Sequence, residues 1–485
     1  MNILVVASEV VPFAKTGGLA DVSSALPRHL SVAGHDVRVV MPLYGQVAQH
    51  HQIEKEEWWG DITIPLGSRT AAFVTRTGVL PGSEAAVHFV DCPPFYHRAS
   101  IYTHDPDEHQ RFILLSRAAL EISQRLEWSP DIIHVNDWQT ALVPLYLRSV
   151  YAWDRLFADT RTVFTIHNLG YQGGFPARAA GDLGLGDSAY LLHQDQLRSG
   201  QLNFLAHGIM YADLITTVSP TYAWEIQTPE MGFGLDGLLR SRTHDLVGIL
   251  NGIDPLEWNP RTDGRIPFRF SEKSLWRKEK NKEALLTELK LHYQKGIPLV
   301  GIVTRLAGQK GVELVAQTMG WFLARQDLRF VALGSGEPHY ERTLEGLQAR
   351  FPERAAFHRG YHNDLAHKIE ASADFFLMPS LYEPCGLNQL YSLAYGTAPV
   401  VRRTGGLADT VTHFDPETGE GNGFVFEHYD ATGLAWALGE GLSVHADRRV
   451  WQQLQRNAMA EDHSWTRRTG EYEQLYSDLR ERRSG

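Results

Sequence analysis

The chain contains the heptapeptide Lys15-Thr16-Gly17-Gly18-Leu19-Ala20-Asp21, and its last six residues recur as Thr404-Gly405-Gly406-Leu407-Ala408-Asp409 behind Arg403. We call residues 16–21 the first copy and residues 404–409 the second copy. Each copy follows an apolar, β-branched run and precedes a helix-like apolar pattern. Such a glycine pair predicts an anion site, because free backbone N–H groups and the positive end of the helix dipole point the same way. For one copy alone, a tight turn explains the glycines equally well. Two distant copies predict two α/β halves that face one phosphorylated ligand.

Bulk composition limits the class of protein. A chain of 485 residues exceeds one ordinary core and fits two domains of roughly 200–250 residues each. The net charge of −11 argues against a general nucleic-acid or membrane binder. Two cysteines, Cys92 and Cys385, exclude a disulfide framework and a multi-cysteine zinc site. Because the chain opens on a strand-like run without a leader and lacks a membrane-length apolar stretch, we expect a soluble cytoplasmic protein.

The rhythm of apolar runs indicates the fold class. Continuous apolar strands alternate with helical patterns, which predicts parallel sheets covered on both faces. A polar, charge-rich stretch at residues 259–282 interrupts this rhythm. We therefore predict an α/β protein with two doubly wound, Rossmann-like domains that face a deep interdomain cleft. The predicted divisions are a first domain at 1–258, a second domain at 259–461, and a C-terminal helix at 462–485 that would pack back on the first domain.

Polar residues that follow the predicted strands are candidate ligand contacts, because ligands of open α/β sheets sit beyond the carboxyl ends of the strands. Arg305 and Lys310 bracket a glycine-containing loop after the strand at 297–303. An arginine fork and a lysine point charge suit a diphosphate. A solvated turn is the alternative for this loop taken by itself.

A second cluster follows the predicted strand at 375–378. Glu383 lies there between Tyr382 and Pro384, where a carboxylate can hold sugar hydroxyls or balance developing positive charge. Cys385 has no adjoining His–Asp pair, so we interpret it as a packed thiol rather than a nucleophile.

Saccharide-type residues follow two strands of the first half. The runs at 134–139 and 167–173 combine His, Asn, Asp, Gln and aromatic residues. Polar side chains pair with sugar hydroxyls, and aromatic rings cover apolar sugar faces. A single histidine after a strand is more often structural, but two such clusters favour a sugar site.

Other motifs point away from competing classes. Asp105-Pro106-Asp107 looks like a turn, and His358, His362 and His367 lack the further ligands of a metal site. The sequence has no Walker loop and no Gly-x-Gly-x-x-Gly fingerprint, which argues against an NTPase or a dehydrogenase.

The motifs, taken in order along nearly the whole chain, resemble the bacterial glycogen synthase and plant starch synthase family. They are Lys15-Thr16-Gly17-Gly18-Leu19, residues 134–138, His167-Asn168, Arg305 with Lys310, and Glu383-Pro384-Cys385-Gly386-Leu387. The resemblance implies transfer of glucose from ADP-glucose to the non-reducing end of an α-1,4-glucan such as glycogen or a maltooligosaccharide. It also implies retention of anomeric configuration, no metal and no cofactor.

The resemblance also implies the site residues. The implied catalytic residues are Glu383, His167, Arg305 and Lys310. The implied substrate-binding residues are Lys15, Gly18, Asp21, Asp137, Trp138, Asn251, Tyr361, Cys385, Gly386, Leu387 and Asn388.

The resemblance implies that the first domain, 1–258, is the acceptor side and that the second, 259–461, binds the nucleotide sugar. On the donor side, it implies that Lys15 and Gly18 contact the donor phosphates. Arg305 and Lys310 would neutralise the leaving diphosphate, and Tyr361 would stack on the adenine ring. On the sugar side, Glu383 would hold glucose hydroxyls and His167 would lie near the reacting carbon. Asp137 and Trp138 would lie on the acceptor side.

The expected mechanism is front-face displacement through an oxocarbenium-like state. Two carboxylates about 5 Å apart would instead allow a covalent intermediate. The position eight after Glu383, which is acidic in many related transferases, is Tyr391. Gln139 and Asn388 also differ from some relatives, which have His and Thr there. The alternatives are a related retaining transferase that uses UDP-glucose or another acceptor, and a glucan-binding scaffold without catalysis.

Overall fold

A computed structural model of the chain describes residues 1–50, 53–55 and 60–482. The chain divides into two compact units, one of Met1–Leu250 with Trp465–Gly485 and one of Asn251–Ser464. The division therefore falls at residue 250 rather than 258. Ile253 and Trp258 pack in a core cluster of the second unit, which explains the earlier boundary.

The first unit is built on a ten-stranded sheet with the order β12-β11-β8-β7-β1-β2-β6-β5-β3, in which β4 pairs with β5. Its strands, together with the separate β9–β10 hairpin, are β1 (Asn2–Val6), β2 (Asp36–Pro42), β3 (Glu54–Lys55), β4 (Ile62–Leu66), β5 (Arg69–Val79), β6 (Ala86–Asp91), β7 (Ile132–Asn136), β8 (Arg161–Ile166), β9 (Gly174–Pro176), β10 (Gln201–Asn203), β11 (Leu214–Thr217) and β12 (Leu246–Gly248). The run from β12 to β6 is parallel, whereas β3, β4 and β5 pair in antiparallel fashion.

Helices connect the parallel strands of this unit. They are α1 (Gly18–Val32), α2 (Gly45–His50), α3 (Pro93–Tyr96), α4 (Glu108–Arg125), α5 (Val143–Leu147), α6 (Gln194–Arg198), α7 (Phe204–Tyr211), α8 (Pro220–Glu225) and α9 (Asp236–Ser241). The side chains of residues 3–6 in β1 are almost completely buried, as expected for a central strand covered on both faces.

The second unit has a six-stranded parallel sheet with the order β15-β14-β13-β16-β17-β18. Its strands are β13 (Leu299–Val303), β14 (Arg329–Gly334), β15 (Ala355–Arg359), β16 (Phe375–Met378), β17 (Ala398–Arg402) and β18 (Phe424–Phe426). Its helices are α10 (Trp276–Glu288), α11 (Val312–Arg325), α12 (Pro338–Arg350), α13 (Asn363–Ser372), α14 (Asn388–Ala394), α15 (Gly405–Thr410), α16 (Ala431–Ala446) and α17 (Arg448–Ala460). Two apolar clusters form its core.

The last helix, α18 (Trp465–Glu481), belongs to the first unit. The Tyr476 hydroxyl lies 2.6 Å from Nδ1 of His134 in β7, and Arg480 pairs with Asp131 at 3.0 Å. The C-terminal segment is therefore anchored to the unit formed by the N-terminal half of the chain.

One mostly parallel sheet and one wholly parallel sheet, both with helical crossovers, confirm the predicted α/β class. The predicted order of strands and helices also holds where strong apolar runs indicated it. The antiparallel pairs of β3, β4 and β5 were not predicted, because their alternating, partly exposed residues give a weaker signal than buried runs.

Candidate functional site

The first copy rests on a buried carboxylate, that of Glu9, which comes shortly after β1 and is only 2% exposed. Glu9 accepts hydrogen bonds from the Thr16 N–H, from the Thr16 hydroxyl at 2.7 Å and from the Gly17 N–H at 3.3 Å. The Tyr102 hydroxyl donates to the same carboxylate. Two of the amides expected to be free for an anion are therefore bound to a protein side chain. Sequence analysis missed Glu9, although an acidic residue between a strand and a glycine pair is the signal that could have revealed it.

The start of α1 beyond this contact is open. A Cβ atom built on Gly17 or Gly18 would meet nothing within 4 Å in the described structure. Lys15 lies 2.7 Å from Asp21 in the first turn of the helix, and both side chains are partly exposed. The start of α1 therefore carries an ion pair between Lys15 and Asp21. Its two glycines are not required by packing against the described residues.

Asp137 lies at the carboxyl end of β7 with a φ of +55°, a conformation that few non-glycine residues adopt. Its carboxylate accepts the His167 N–H at 2.7 Å and also the N–H of Asn168. Burial raises the pKa of Asp137 to about 7, and the nearby charge of Glu9 adds to this effect, whereas the two amides oppose it. The structure thus brings Asp137 and His167 together, with Glu9 close enough to influence the carboxyl group.

The His167 ring is buried and uncharged. Its Nε2 lies 2.9 Å from Oδ1 of Asn136, whose Nδ2 donates to the Val6 carbonyl at 3.2 Å. Because that carbonyl can only accept, Oδ1 must face the ring, and Nε2 of His167 carries the proton. Burial lowers the pKa of His167 to about 3, so the imidazole is neutral at physiological pH.

Trp138 forms part of an aromatic cluster. Its ring lies 4.8 Å from Phe112, 5.8 Å from Phe175 and 6.4 Å from Phe204, measured between centroids. Gly173 lies directly against the indole ring of Trp138. Its φ is +61°, and a Cβ atom there would lie 2.4 Å from the ring. The half-buried Trp138 therefore packs the loops of residues 137–139 and 170–174 together, whatever it contributes to a ligand.

Five buried amide oxygens lack hydrogen-bond partners within the described residues, and two of them belong to residues singled out from the sequence. These two are Oε1 of Gln139 in the first unit and Oδ1 of Asn251 in the second. Buried acceptors without partners are uncommon in folded proteins, so both atoms are candidates for contact with a ligand or water.

In the second unit, Lys310 and Glu383 form a close pair. The lysine Nζ lies 2.6 Å from Oε2 of Glu383, and the Ser380 hydroxyl donates to the same oxygen at 2.8 Å. Glu383 is 6% exposed. Arg305, at the carboxyl end of β13, is exposed.

Backbone contacts between two loops create this pair. The Leu381 N–H donates to the Gln309 carbonyl at 2.8 Å, and the Gln309 side chain donates to the Tyr382 carbonyl at 3.0 Å. Gly311 has a φ of +64°, and a Cβ there would lie 2.2 Å from the Pro379 carbonyl oxygen. The glycine allows the loop after β13 to lie directly on the loop after β16.

The second copy packs against the Glu383 segment. A Cβ on Gly405 would lie 2.0 Å from the Glu383 carbonyl oxygen, and one on Gly406 would lie 2.1 Å from that of Cys385. The Gly406 N–H donates to the Glu383 carbonyl at 3.1 Å. The prediction of a free anion site at this copy is therefore wrong for the Gly406 amide, since tight backbone packing explains the glycine pair. Arg403, which precedes the copy, pairs with Glu427 at 2.6 Å.

The residues that follow Glu383 lead into α14. Cys385 is buried, in agreement with its interpretation as a packed residue. Gly386 has a φ of +75°, and Leu387 packs against a core cluster. The side chain of Asn388 donates to the Val303 carbonyl at 2.5 Å and so ties α14 to the end of β13.

Tyr361 presents its ring to solvent just after β15. The residue is 71% exposed, and its hydroxyl donates to Oδ1 of Asn363 at 2.8 Å. Gly360 precedes it with a φ of +108°, and its N–H donates to the Gly334 carbonyl at 2.9 Å. The turn is fixed while the aromatic face remains accessible.

Tyr391 is a structural residue. Its ring stacks on Trp258 at 3.8 Å, and Trp258 stacks on His367 at the same distance. His367 in turn binds Asp263 at 2.8 Å. An uncharged, stacked ring therefore occupies the position at which a second carboxylate was considered.

Neither a metal-ligand cluster nor a membrane-spanning helix is present in the part of the chain that the structure describes. Among residues 1–50, 53–55 and 60–482, no group of three His, Cys, Asp or Glu side chains is arranged to hold a metal ion. Within those same ranges, the helices are too short or too polar to cross a membrane.

Comparisons with known proteins agree with this arrangement. The family model described as the starch synthase catalytic domain matches residues 2–241, and that described as glycosyl transferases group 1 matches residues 290–457. A glycogen synthase from Anaeromyxobacter sp. is 47% identical over 99% of both chains. One from Koribacter versatilis is 45% identical over 100% of this chain and 99% of its own.

A solved structure matches at the level of the fold as well. The catalytic domain of starch synthase IV from Arabidopsis thaliana, bound to ADP and acarbose, superimposes with a TM-score of 0.91. It is 35% identical and covers 99% of each chain. The chain therefore belongs to the glycogen synthase and starch synthase family of glucosyltransferases.

Proposed function

We propose that the chain transfers glucose from ADP-glucose to the non-reducing end of an α-1,4-glucan, with retention of configuration. One observation carries the proposal: the buried Glu383 carboxylate binds Lys310 at the carboxyl ends of β13 and β16, with Arg305 exposed on the same loop as the lysine. Such a set can hold a sugar and neutralise a diphosphate. The Arabidopsis relative, whose structure contains ADP and acarbose, supports a nucleotide donor and a glucan acceptor.

The cations of the second unit would act on the leaving group. Negative charge grows on the diphosphate as the glycosidic bond breaks, and cations held at that point stabilise the transition state more than the ground state. Arg305 supplies paired donors, and Lys310 is already oriented by Glu383. The exposed ring of Tyr361 would stack on the adenine.

The first unit would supply the sugar and acceptor contacts. Lys15 and Gly18 would approach the donor phosphates at the open start of α1. The neutral imidazole of His167 suits a position near an oxocarbenium-like carbon, because an imidazolium would repel the developing positive charge. Asp137, with a pKa raised to about 7, would lie toward the acceptor hydroxyl.

The chemistry proposed is front-face displacement. The departing diphosphate would accept the proton of the acceptor hydroxyl on the same face, which leaves the anomeric configuration unchanged. A covalent route needs a carboxylate opposite the leaving group, about 5 Å from its partner. Tyr391, stacked on Trp258, does not provide one.

The experiment that tests the function is incorporation of labelled glucose into glycogen, from ADP-glucose and in parallel from UDP-glucose. We expect incorporation from ADP-glucose, and a decrease of kcat by roughly 100-fold in Arg305→Gln. Arg342→Gln, an exposed arginine of α12, is the matched control and should behave as wild type. Preference for UDP-glucose would overturn the donor assignment. Failure to incorporate glucose from either donor would favour the scaffold alternative.

A further inference from the structure

The second unit contains a cavity of about 520 Å³ that is not lined by any of the site residues named above. It lies between the loop of residues 264–269 and the first turns of α10. The side chains that define its chemistry are Phe268, Arg269, Trp276, Arg277 and Lys280. A volume in this range is typical of sites for small ligands, roughly 300–1,000 Å³.

The cavity carries three positive charges and no carboxylate in its lining. Within the described residues, Arg269, Arg277 and Lys280 form no ion pair; Nε of Arg269 donates to the Asp263 carbonyl, and Nη1 of Arg277 to the Arg269 carbonyl, each at 3.1 Å. Of the acidic residues nearest along the chain, Glu272 pairs with Arg261 and Glu279 with Lys282, and within the described residues Glu283 forms no ion pair with Lys280. Three uncompensated cations in a chain of net charge −11 make this cavity locally attractive to anions.

Aromatic rings hold the cations in position. The Lys280 ammonium lies 5.5 Å from the Phe268 ring centroid and 5.1 Å from that of Trp276, and the Arg277 guanidinium lies 5.3 Å from Trp276. Cation–π contacts of this length restrict the long side chains. Trp276 is nevertheless 53% exposed, so part of its indole remains accessible to a ring of the ligand.

We propose that this cavity binds a small phosphate ester, with the phosphate on Arg269, Arg277 and Lys280 and the sugar or base against Trp276. The two sources of this chemistry are a sugar phosphate and a nucleoside monophosphate. The proposal goes beyond the proposed function and does not depend on it, because no residue of the cavity belongs to the Arg305, Lys310 and Glu383 set.

The test is isothermal titration calorimetry at constant ionic strength with AMP, ribose 5-phosphate and inorganic phosphate. All titrations use full-length protein that carries Arg305→Gln and Lys310→Gln, so that binding at the proposed donor site is weakened. We expect saturable binding of at least one ester, weakened tenfold or more by Arg277→Gln with Lys280→Gln. Lys290→Gln, an exposed lysine beyond the end of α10, is the matched control and should leave binding unchanged.

Two results would overturn the proposal: no ester binding, or equal binding with and without the two cavity substitutions. If inorganic phosphate binds as tightly as both esters, Trp276 does not contact the sugar or base of the ligand. In that case Trp276→Ala should leave the affinity for both esters unchanged. Tighter AMP binding identifies a nucleotide site, and tighter ribose 5-phosphate binding a sugar phosphate site. Thermal melts establish that each variant is folded, and Lys280→Gln alone replaces the pair if the double variant is not.

Discussion

The two copies of the hexapeptide have one sequence and two structural roles. In the first copy, a Cβ on Gly17 or Gly18 would meet nothing within 4 Å, so these glycines leave the helix start open. In the second copy, Cβ atoms on Gly405 and Gly406 would lie 2.0 and 2.1 Å from backbone oxygens of residues 383 and 385. The first glycine pair borders open space, whereas the second is required by close packing of the backbone.

A glutamate meets each copy, through a different part of the residue. Glu9 accepts the Thr16 and Gly17 amides with its carboxylate. Glu383 accepts the Gly406 amide with its backbone carbonyl, so its carboxylate remains available to Lys310 and Ser380. The same local sequence therefore accompanies two different arrangements: the Glu9 carboxylate binds backbone amides, whereas the Glu383 carboxylate pairs with Lys310 and Ser380.

The largest effect expected from this difference is on turnover. Glu383→Gln keeps the backbone contact to Gly406 but removes the charge next to Lys310, so we expect kcat to fall by about 10³-fold with the fold intact. Steady-state kinetics with ADP-glucose and a denaturation curve measure the two quantities. Glu427→Gln removes an exposed carboxylate beside the same copy and should have little effect. Near-normal turnover in Glu383→Gln would remove the distinction between the two glutamates.

The second expectation concerns Asp137, whose pKa is raised by burial and by the first-copy glutamate to about 7. The unfolded chain ionises this group near pH 4, while the folded chain keeps the proton until about pH 7. Stability is therefore lost as pH rises across that window, by up to about 4 kcal/mol. Asp137→Asn should gain stability relative to wild type between pH 5 and pH 8, as measured by urea unfolding. A difference that does not change with pH would contradict this.

The third expectation concerns the glycines. Gly406→Ala forces a methyl group against the Cys385 backbone and should lower the free energy of unfolding by about 3 kcal/mol. Gly18→Ala meets open space at the first position of α1, so its effect should stay within about 0.5 kcal/mol. Chemical denaturation of both variants gives the comparison. Equal losses would show that the two copies pack alike.

The fourth expectation concerns the binding of the donor in Glu9→Gln. An amide has one accepting oxygen, so it cannot serve all the donors of Thr16, Gly17 and Tyr102, and the loop loosens. Because the Glu9 carboxylate holds the Thr16 and Gly17 amides, we expect it to position the loop: KM for ADP-glucose should rise about tenfold, or about 1.4 kcal/mol, with kcat little changed. The loss of the Glu9 charge should also lower the pKa of Asp137, as measured by the pH dependence of stability.

Tyr102→Phe is the control for this change, because it removes one donor and keeps the carboxylate. Its KM should lie near that of wild type. A fall of kcat at constant KM in Glu9→Gln would contradict a positioning role.

The sequence by itself determined the α/β class, the order of strands and the chemical types at their carboxyl ends. These features are local: a buried run such as that of β1 or β13 signals a covered parallel strand, and the residues just after it lie at a sheet edge. Arg305, Lys310 and Glu383 could therefore be singled out before any coordinates. The burial of Cys385 was also expected from the sequence, because no His–Asp pair adjoins it there.

Only the tertiary structure decided what each backbone amide and carboxylate contacts. Lys310 pairs with Glu383, which lies 73 residues further along the chain. The Gly406 N–H donates to the Glu383 carbonyl, because glycines allow the two loops to approach closely. The role of Glu9 depends on the folded chain, which buries its carboxylate against the first copy. The hexapeptide is identical in both places, whereas its hydrogen-bond partners depend on long-range packing. The sequence alone therefore could not distinguish the open helix start at Gly17 and Gly18 from the packed one at Gly405 and Gly406.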